Sequence, residues 1–540
     1  MLVKAATGLL AIGHLASLVF AQDRVAITGA TVDQNSDVPA RRNINDMYSK
    51  GGPQWDLYIQ ALRSLQAKNA SDALFHTFKS LVCIHGLPFI EWNGDGPRNN
   101  NGWGGYCPHG EALFLPWHRA LTLLYEQLLV KEAVAIASKY PQRYRTEYLA
   151  AANSLRSPYW DWSADSNVPP STVPQTMSIN VPDGQGIKQA QVSNPLQPYT
   201  LPQEALAGQF GPFARIPAKM VRCPAPRQYP NTPNQRLRQY NLKQGTYDMF
   251  AYSSTFNDFA VTGGRHLEGL HNIIHWEAGC EGQFLDATLS AFDPLFMLHH
   301  THVDRLWTYW QFIRPSETIF KNSYVGQARF STPQGTVIGP NSPLAPFHDG
   351  NLNSYTSNSV SSIKGMGYTY EGLEYWRKSA DQLRRDAIQR INTLYAPRRR
   401  FHKRSSSQTE TRHFAHVDLD RTQVERPCTI TVFIGNKEAG TVPIMPLPAT
   451  GIARTSVPID KFLNETMHSS SSQGIMASIG QLVEVEIKKL DGTRIPVDKV
   501  DSLKITVEKI AVEVPSSNME LPKPVDKTRH SAKVQGHFAH

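Results

Sequence analysis

His271 and His275 lie four residues apart on a stretch that reads as an amphipathic helix, and a second apolar stretch shortly after it carries His300. At about 100° per residue, Leu267, Leu270, Ile273 and Ile274 fall on one face, and Glu268, His271, Asn272 and His275 on the adjacent one. The two imidazoles therefore stand one turn apart and can converge on a single point. Asp293-Pro294 predicts the start of the next helix, with a capping carboxylate and a proline in the first turn. From there Phe296, His300, Val303, Asp304 and Trp307 share a face, so His300 projects from a largely apolar stripe. A buried imidazole needs hydrogen-bond partners or a metal. If both of these faces turn inward, the two helices pack around a common polar centre. A solvated face for the first helix and a satisfied core histidine in the second are the bland alternatives. His299 points about 100° away from His300 and reads as a supporting residue.

Three more histidines lie upstream. His85 closes a helical stretch before Gly86-Leu87-Pro88, His109 follows Cys107-Pro108, and His118 in Pro116-Trp117-His118-Arg119 opens a long apolar helix. The chain holds 19 histidines, so their placement and not their number carries the argument.

Helical periodicity covers 55–68, 111–139, 266–276, 294–313 and 375–395. Residues 166–244, rich in Pro, Gln and Asn, read as long surface loops. After a basic linker at 398–411 the period changes to two over 428–434, 482–489 and 503–514, which predicts strands. The expected organisation is a leader at 1–21, a helical domain at 22–397, the linker at 398–411, a β domain at 412–514 and a disordered tail at 515–540. A length of 540 residues suits more than one domain. The net charge of +9 is partly local, because Arg398-Arg399-Arg400 and Lys403-Arg404 sit in one run. With no basic repeat interleaved with aromatics, nucleic acid is not an expected partner. Lys4, the apolar Leu9 to Phe20 and the small Ala21 read as a secretory leader, so an extracellular protein is expected. No segment is apolar for long enough to span a membrane. Asn69-Ala70-Ser71 and Asn464-Glu465-Thr466 are acceptor triplets for glycosylation. The odd count of five cysteines leaves one sulfur to explain, and no Cys-x-x-Cys pair suggests a zinc-thiolate site.

In combination these motifs resemble the type-3 copper family of tyrosinases, catechol oxidases and molluscan haemocyanins, and fungal tyrosinases in particular. The resemblance runs over about residues 24–395. It rests on Ile84-His85-Gly86-Leu87-Pro88-Phe89, Tyr106-Cys107-Pro108-His109-Gly110, Pro116-Trp117-His118-Arg119, Pro158-Tyr159-Trp160-Asp161-Trp162, Leu270 to His275, and Asp293 to Trp307. His302 departs from the pattern, since relatives often carry Asn there, and it is not an expected ligand.

The resemblance implies a mainly α catalytic domain, a four-helix bundle holding a dicopper centre, followed by a small all-β sandwich. Copper A would be held by His85, His109 and His118, and copper B by His271, His275 and His300, with O2 as co-substrate. Six neutral imidazoles suit copper better than di-iron or di-manganese, although zinc stays open on residue type alone. Cys107 resembles the family's thioether partner of His109, and Cys83-Ile84-His85 has the same spacing. Cys83, Cys223, Cys280 and Cys428 then allow three pairings or free thiols. Glu268 and Asn272 match a pair that orients a water as proton acceptor, and Phe296 matches a gate over copper A, with core packing as its alternative.

The implied reaction is ortho-hydroxylation of small phenols such as L-tyrosine and oxidation of o-diphenols such as L-DOPA to o-quinones. Pigment (melanin) formation is a family expectation. A catechol oxidase without the first step, or a dioxygen carrier of haemocyanin type, are the alternatives. Tyr368-Thr369-Tyr370 and Arg41 resemble a motif pair that closes the family's catalytic domain. The strand-rich end resembles a shielding domain of latent tyrosinases. The resemblance implies a latent precursor activated by a kexin-like or other protease at 398–411, with Phe433 or Phe462 as the residue plugging the site.

Overall fold

The computed structural model describes residues 24–33, 36–68, 84–99, 101–208, 212–397, 409–462 and 479–537. The leader, Cys83, both glycosylation triplets and the basic run 398–404 lie outside the described residues.

The apolar periodicity resolves into helices α1 (Pro53–Ala67), α2 (Phe114–Ala137), α3 (Leu242–Tyr252), α4 (Leu267–Gly279), α5 (Leu295–Ile313) and α6 (Ala380–Tyr395). Proline in the first turn starts α1, and a reciprocal capping box between Ser379 and Gln382 starts α6. α2 is buried over most of its circumference, as its nearly continuous apolar sequence requires. It lies between α1 and α5, and α5 in turn meets α4 and α6. Asp293 caps the entrance to α5 by accepting from the Leu295 N–H at 2.9 Å.

The charges buried between α2 and α5 are paired. Asp304 accepts from Arg119 Nε at 2.5 Å, Arg41 Nη1 at 2.9 Å, and the hydroxyls of Tyr368 and Tyr370 at 2.9 and 2.7 Å. Arg41 also binds Glu126 at 2.7 Å and lies 3.5 Å from the centre of the Tyr368 ring. An ion buried this deeply costs several kcal/mol unless its partners are in place. The network therefore ties the start of the chain, α2, α5 and the Tyr368–Tyr370 segment into one body.

The loop-rich stretch contains a hairpin that the sequence reading missed, β1 (Thr176–Asp183) paired with β2 (Gly186–Ser193). Met177, Ile179 and Val181 alternate with polar residues in β1, but the run is short and β2 has no such pattern, so the Pro-, Gln- and Asn-rich surroundings dominate the reading. Cys223 and Cys280 form a disulfide, while Cys107 and Cys428 are free and buried.

The C-terminal part is a sandwich of two sheets. Its strands are β3 (Thr409–Asp420), β4 (Cys428–Ile434), β5 (Lys437–Ile444), β6 (Ile452–Pro458), β7 (Val483–Lys489), β8 (Arg494–Ile495), β9 (Lys504–Glu513), β10 (Lys523–Ser531) and β11 (Gln535–Gly536). One sheet has the order β6-β3-β9-β10 and the other β8-β7-β4-β5, with β11 added parallel to β7. The apolar rows of both sheets close a separate core.

Two expectations need correction. β3 begins at Thr409, inside the expected linker. The expected disordered tail at 515–540 is ordered over 515–537, where β10 extends the first sheet and β11 joins the second. β10 is exposed along almost its whole length and charged, as edge strands are, so it carries no apolar pattern.

The sandwich docks on the helical body through polar groups. Arg412 donates two hydrogen bonds to Asp248 of α3 at 2.8 and 3.0 Å. Arg265 meets Glu508 at 3.5 Å and lies over the Phe414 ring. Asn392 of α6 donates to the carbonyls of Asn518 and Glu520 at 2.7 and 2.9 Å, which fixes the tail before β10. No helix among the described residues is long and apolar enough to cross a membrane.

Candidate metal centre

α4 and α5 bring their histidines to one point, and the upstream three meet them there. His85, His109 and His118 form a near-equilateral group, with ring centres 5.4 to 5.6 Å apart. His271, His275 and His300 form a second, at 4.5, 4.9 and 5.7 Å. The groups abut where His118 stacks on His300 at 4.4 Å. His271 and His275 are 2% and 4% exposed and Glu268 is 3%, so the polar face of α4 is not solvated.

Burial, reinforced by neighbouring imidazoles at every ring but His275, holds these rings neutral. His118 is lowered to about 3 and His275 to about 4, and His85, His109, His271 and His300 lie well below the usual range. Their tautomers follow from their neighbours. The Nδ1 atoms of His85, His118 and His275 face the carbonyl oxygens of Ala287, Phe114 and Phe284 at 3.1, 2.8 and 2.9 Å. A carbonyl only accepts, so each Nδ1 carries the proton and each Nε2 keeps its lone pair. His271 Nδ1 likewise faces the Asn272 amide oxygen at 3.0 Å. The Nε2 atoms of His85 and His118 are buried without a hydrogen-bond partner, and His271 Nε2 meets His300 Nε2 at 3.3 Å. Lone pairs turned toward one another in a dry pocket are costly unless something binds them. The donor set fits a soft or borderline metal ion in each group.

The other anticipated residues surround this centre. Cys107 Sγ accepts from the Trp103 indole at 3.2 Å and donates to the His85 carbonyl at the same distance. It lies within 4.8 Å of ligand atoms on both His85 and His109. Glu268 accepts from the Gly110 N–H at 2.7 Å, and its second oxygen is buried without a partner. Burial pushes its carboxyl up to about 8, against the opposing pull of the Gly110 N–H and of Arg421. Phe296 is fully buried between the groups, 4.7 Å from His85 and 4.2 Å from His300 by ring centres, in a packing position. His302 points elsewhere, toward Ser163 and Asp161. His299, expected only as a support, has a ligand atom within 4.8 Å of those of His271, His275 and His300.

The sandwich covers the centre with a segment that sequence reasoning did not single out. Met445, Pro446 and Leu447, just after β5, close a cavity of about 20 Å³ against His85, His109, His271 and His275, room for about one water. Met445 packs on Trp276 and Leu285. Arg426 donates to the carbonyls of Pro446 and Pro448 at 2.6 and 2.8 Å and so brackets Leu447. Gly110 has φ +67, and a Cβ there would come within 2.6 Å of the Pro448 ring, so glycine is required on both counts. Neither aromatic candidate reaches the site: Phe433 stacks on His537 at 3.8 Å, and Phe462 belongs to the sandwich core. Beside the small cavity, a crevice of about 820 Å³ runs between the sandwich and α4, lined by Glu268, Asn272 and Arg421. His266 caps α4 by accepting from the Gly269 N–H at 3.0 Å and donates from its other nitrogen to the Arg454 carbonyl at 2.8 Å. The first turn of a histidine-bearing helix is thereby anchored to the cover.

Comparison with known proteins agrees with this arrangement. Residues 76–313 match the profile of the common central domain of tyrosinase. Polyphenol oxidase 2 of Agaricus bisporus is 33% identical over 376 residues, 66% of each chain, and a tyrosinase of Podospora anserina is 30% identical over 400 residues, 69% of each. The chain thus spans about two thirds of the length of these relatives. The solved structure of a latent and active mushroom tyrosinase superposes with a TM-score of 0.78 at 22% identity, covering 95% of this chain and all of that one. The helical core with its two histidine groups and the sandwich behind it belong to a member of the tyrosinase family, of the fungal type.

Proposed function

We propose that this protein is a copper-dependent phenol oxidase that hydroxylates monophenols beside their hydroxyl group and oxidises the resulting o-diphenols to o-quinones with O2. His85, His109 and His118 hold one copper, and His271, His275 and His300 the other. The observation that carries the reading is the pair of abutting triads of neutral imidazoles, buried except for the half-buried His109, with the Nε2 lone pairs of His85 and His118 unpartnered. A bound copper pair supplies the two-electron reduction of O2. The protein supplies a dry enclosure, fixed ring planes and a route for the substrate proton. A phenol with a pKa near 10 has to shed that proton on entry. Glu268 and Asn272, one turn apart on α4, orient a water that accepts it. Cys107 is placed to form a thioether to a carbon of the His109 ring, giving up its thiol hydrogen and the ring C–H hydrogen with O2 as the two-electron oxidant, and so to fix the ring plane.

The chain is made latent, because Met445, Pro446 and Leu447 occupy the space through which a phenol would approach. The mushroom enzyme of the same fold is described in latent and active states, which supports this. Secretion by the leader 1–21, cleavage by a protease within 398–411 and a role in pigment formation complete the reading. Metal analysis with an L-DOPA assay before and after limited proteolysis tests it. Two coppers per chain and turnover after cleavage are expected. Zinc, or copper with reversible O2 uptake and no turnover, overturns it.

One observation favours a second reading, oxidation of o-diphenols alone. Asn272 gives its amide oxygen to His271, and Glu268 gives one oxygen to Gly110. Absence of any L-tyrosine hydroxylation by the cleaved enzyme decides for it.

A further inference from the structure

Four histidines and not three crowd the second group, since the ligand atoms of His271, His275, His299 and His300 all lie within 4.8 Å of one another. His299 is fully buried, and its ring stacks on His271 at 4.8 Å with 20° between the planes. Proximity alone does not keep it from becoming a ligand. Its hydrogen bonding does. Trp162 Nε1 lies 3.0 Å from His299 Nδ1. An indole N–H only donates, so Nδ1 is the acceptor and the proton of the neutral ring sits on Nε2. That N–H is buried and has no partner.

The ligand histidines with identifiable partners show the opposite polarity. His85, His118 and His275 face carbonyls, and His271 faces an amide oxygen. An acceptor at Nδ1 frees Nε2 for a metal, and a donor at Nδ1 blocks it.

We propose that Trp162 is a positioning residue that withholds His299 from the second metal, leaving that ion three imidazoles and one open side for O2 and substrate. Its target is one ring nitrogen, and its effect is a vacancy in the coordination sphere. The inference rests on the reading of the site as a copper pair.

The test uses the full-length chain loaded with copper. In Trp162→Phe the donor is gone, His299 can move its proton to Nδ1, and Nε2 becomes a fourth ligand. X-ray absorption should then show the mean number of imidazoles per copper rising from about three to about three and a half. Loss of copper to a chelator should slow by about tenfold. The double variant W162F/H299F should return both readouts to wild type. If Trp162 were merely structural, both variants would lose copper faster, and that result, or an unchanged coordination number, overturns the proposal.

Should W162F fail to fold, nitrogen-15 NMR of the copper-free wild-type chain decides. A proton on His299 Nε2 is expected, and a proton on Nδ1 refutes the proposal. A wild-type chain that binds no copper would sink the functional reading instead, while the tautomer measurement would still stand.

Discussion

The two histidine groups are assembled in different ways. His271, His275 and His300 come from two helices, and the first two are placed by the helical repeat alone. His85, His109 and His118 come from three separate segments, of which only the last lies in a long helix. The second group rests on α4, α5 and the Phe284 carbonyl just beyond α4, whereas the first depends on partners far along the chain: His85 on the Ala287 carbonyl, and the loop at Gly110 on Glu268. Local periodicity can place half of a metal centre. The other half exists only once the chain has packed.

The most severe way to break this comparison is to remove one ligand from each group. His85→Ala and His275→Ala are each expected to lower activity by about 10³ or more, the worth of several kcal/mol of metal-based stabilisation. Metal analysis then asks whether the groups are separate. One copper retained per chain means that they are, and none means that the His118–His300 stack binds them into one unit. Glu268 bridges the groups, since it stands on α4 and holds the loop of the first. Glu268→Gln should cut tyrosine hydroxylation by about 10² and leave catechol oxidation within about threefold. Parallel steady-state assays check this, and equal losses would mean that the bond to Gly110 matters more than proton transfer.

Acid should weaken both groups in the copper-free chain. The folded pKa values of His118 and His275 lie below the unfolded value of about 6.5. As pH falls below that value the unfolded chain binds protons that the folded one refuses. Stability is therefore lost from there down to about 4 for His275 and about 3 for His118. The slope is about 1.4 kcal/mol per pH unit for each ring. A melting series between pH 7 and pH 4.5 should show a steep fall, and a flat profile would contradict the burial argument. The smallest effect concerns the cover that touches both groups. Arg426→Gln loosens the bracket on Leu447 and should raise the activity of the uncleaved chain by about tenfold, the worth of one of its two charged hydrogen bonds.

Much of this was legible in the sequence for physical reasons. The four-residue spacing of His271 and His275, and the apolar stripe around His300, fixed both faces before any packing was known. The helical angle also separated His300 from His299, although it said nothing of how near His299 would come. That nearness, and the polarity of its bond to Trp162, depend on how the Pro158–Trp162 segment meets α5. The covering segment was misread because aromatic side chains were the expected plug. Leu447 reaches the site through strand pairing in β5 and through Arg426, neither of which leaves a local pattern. The tail failed for a related cause, since an exposed edge strand composed as Lys-Pro-Val-Asp-Lys has the composition of a disordered one.

Asn392 grips the backbone at Asn518 and Glu520, on the far side of the sandwich sequence from the basic run. A single cut between 398 and 411 would therefore yield a nicked heterodimer, still clasped by this amide and by the Arg412–Asp248 pair. Onset of activity would then follow two clocks, one set by the protease and one by dissociation of the fragments; dilution would slow the first and leave the rate of the second unchanged while raising the fraction that stays apart.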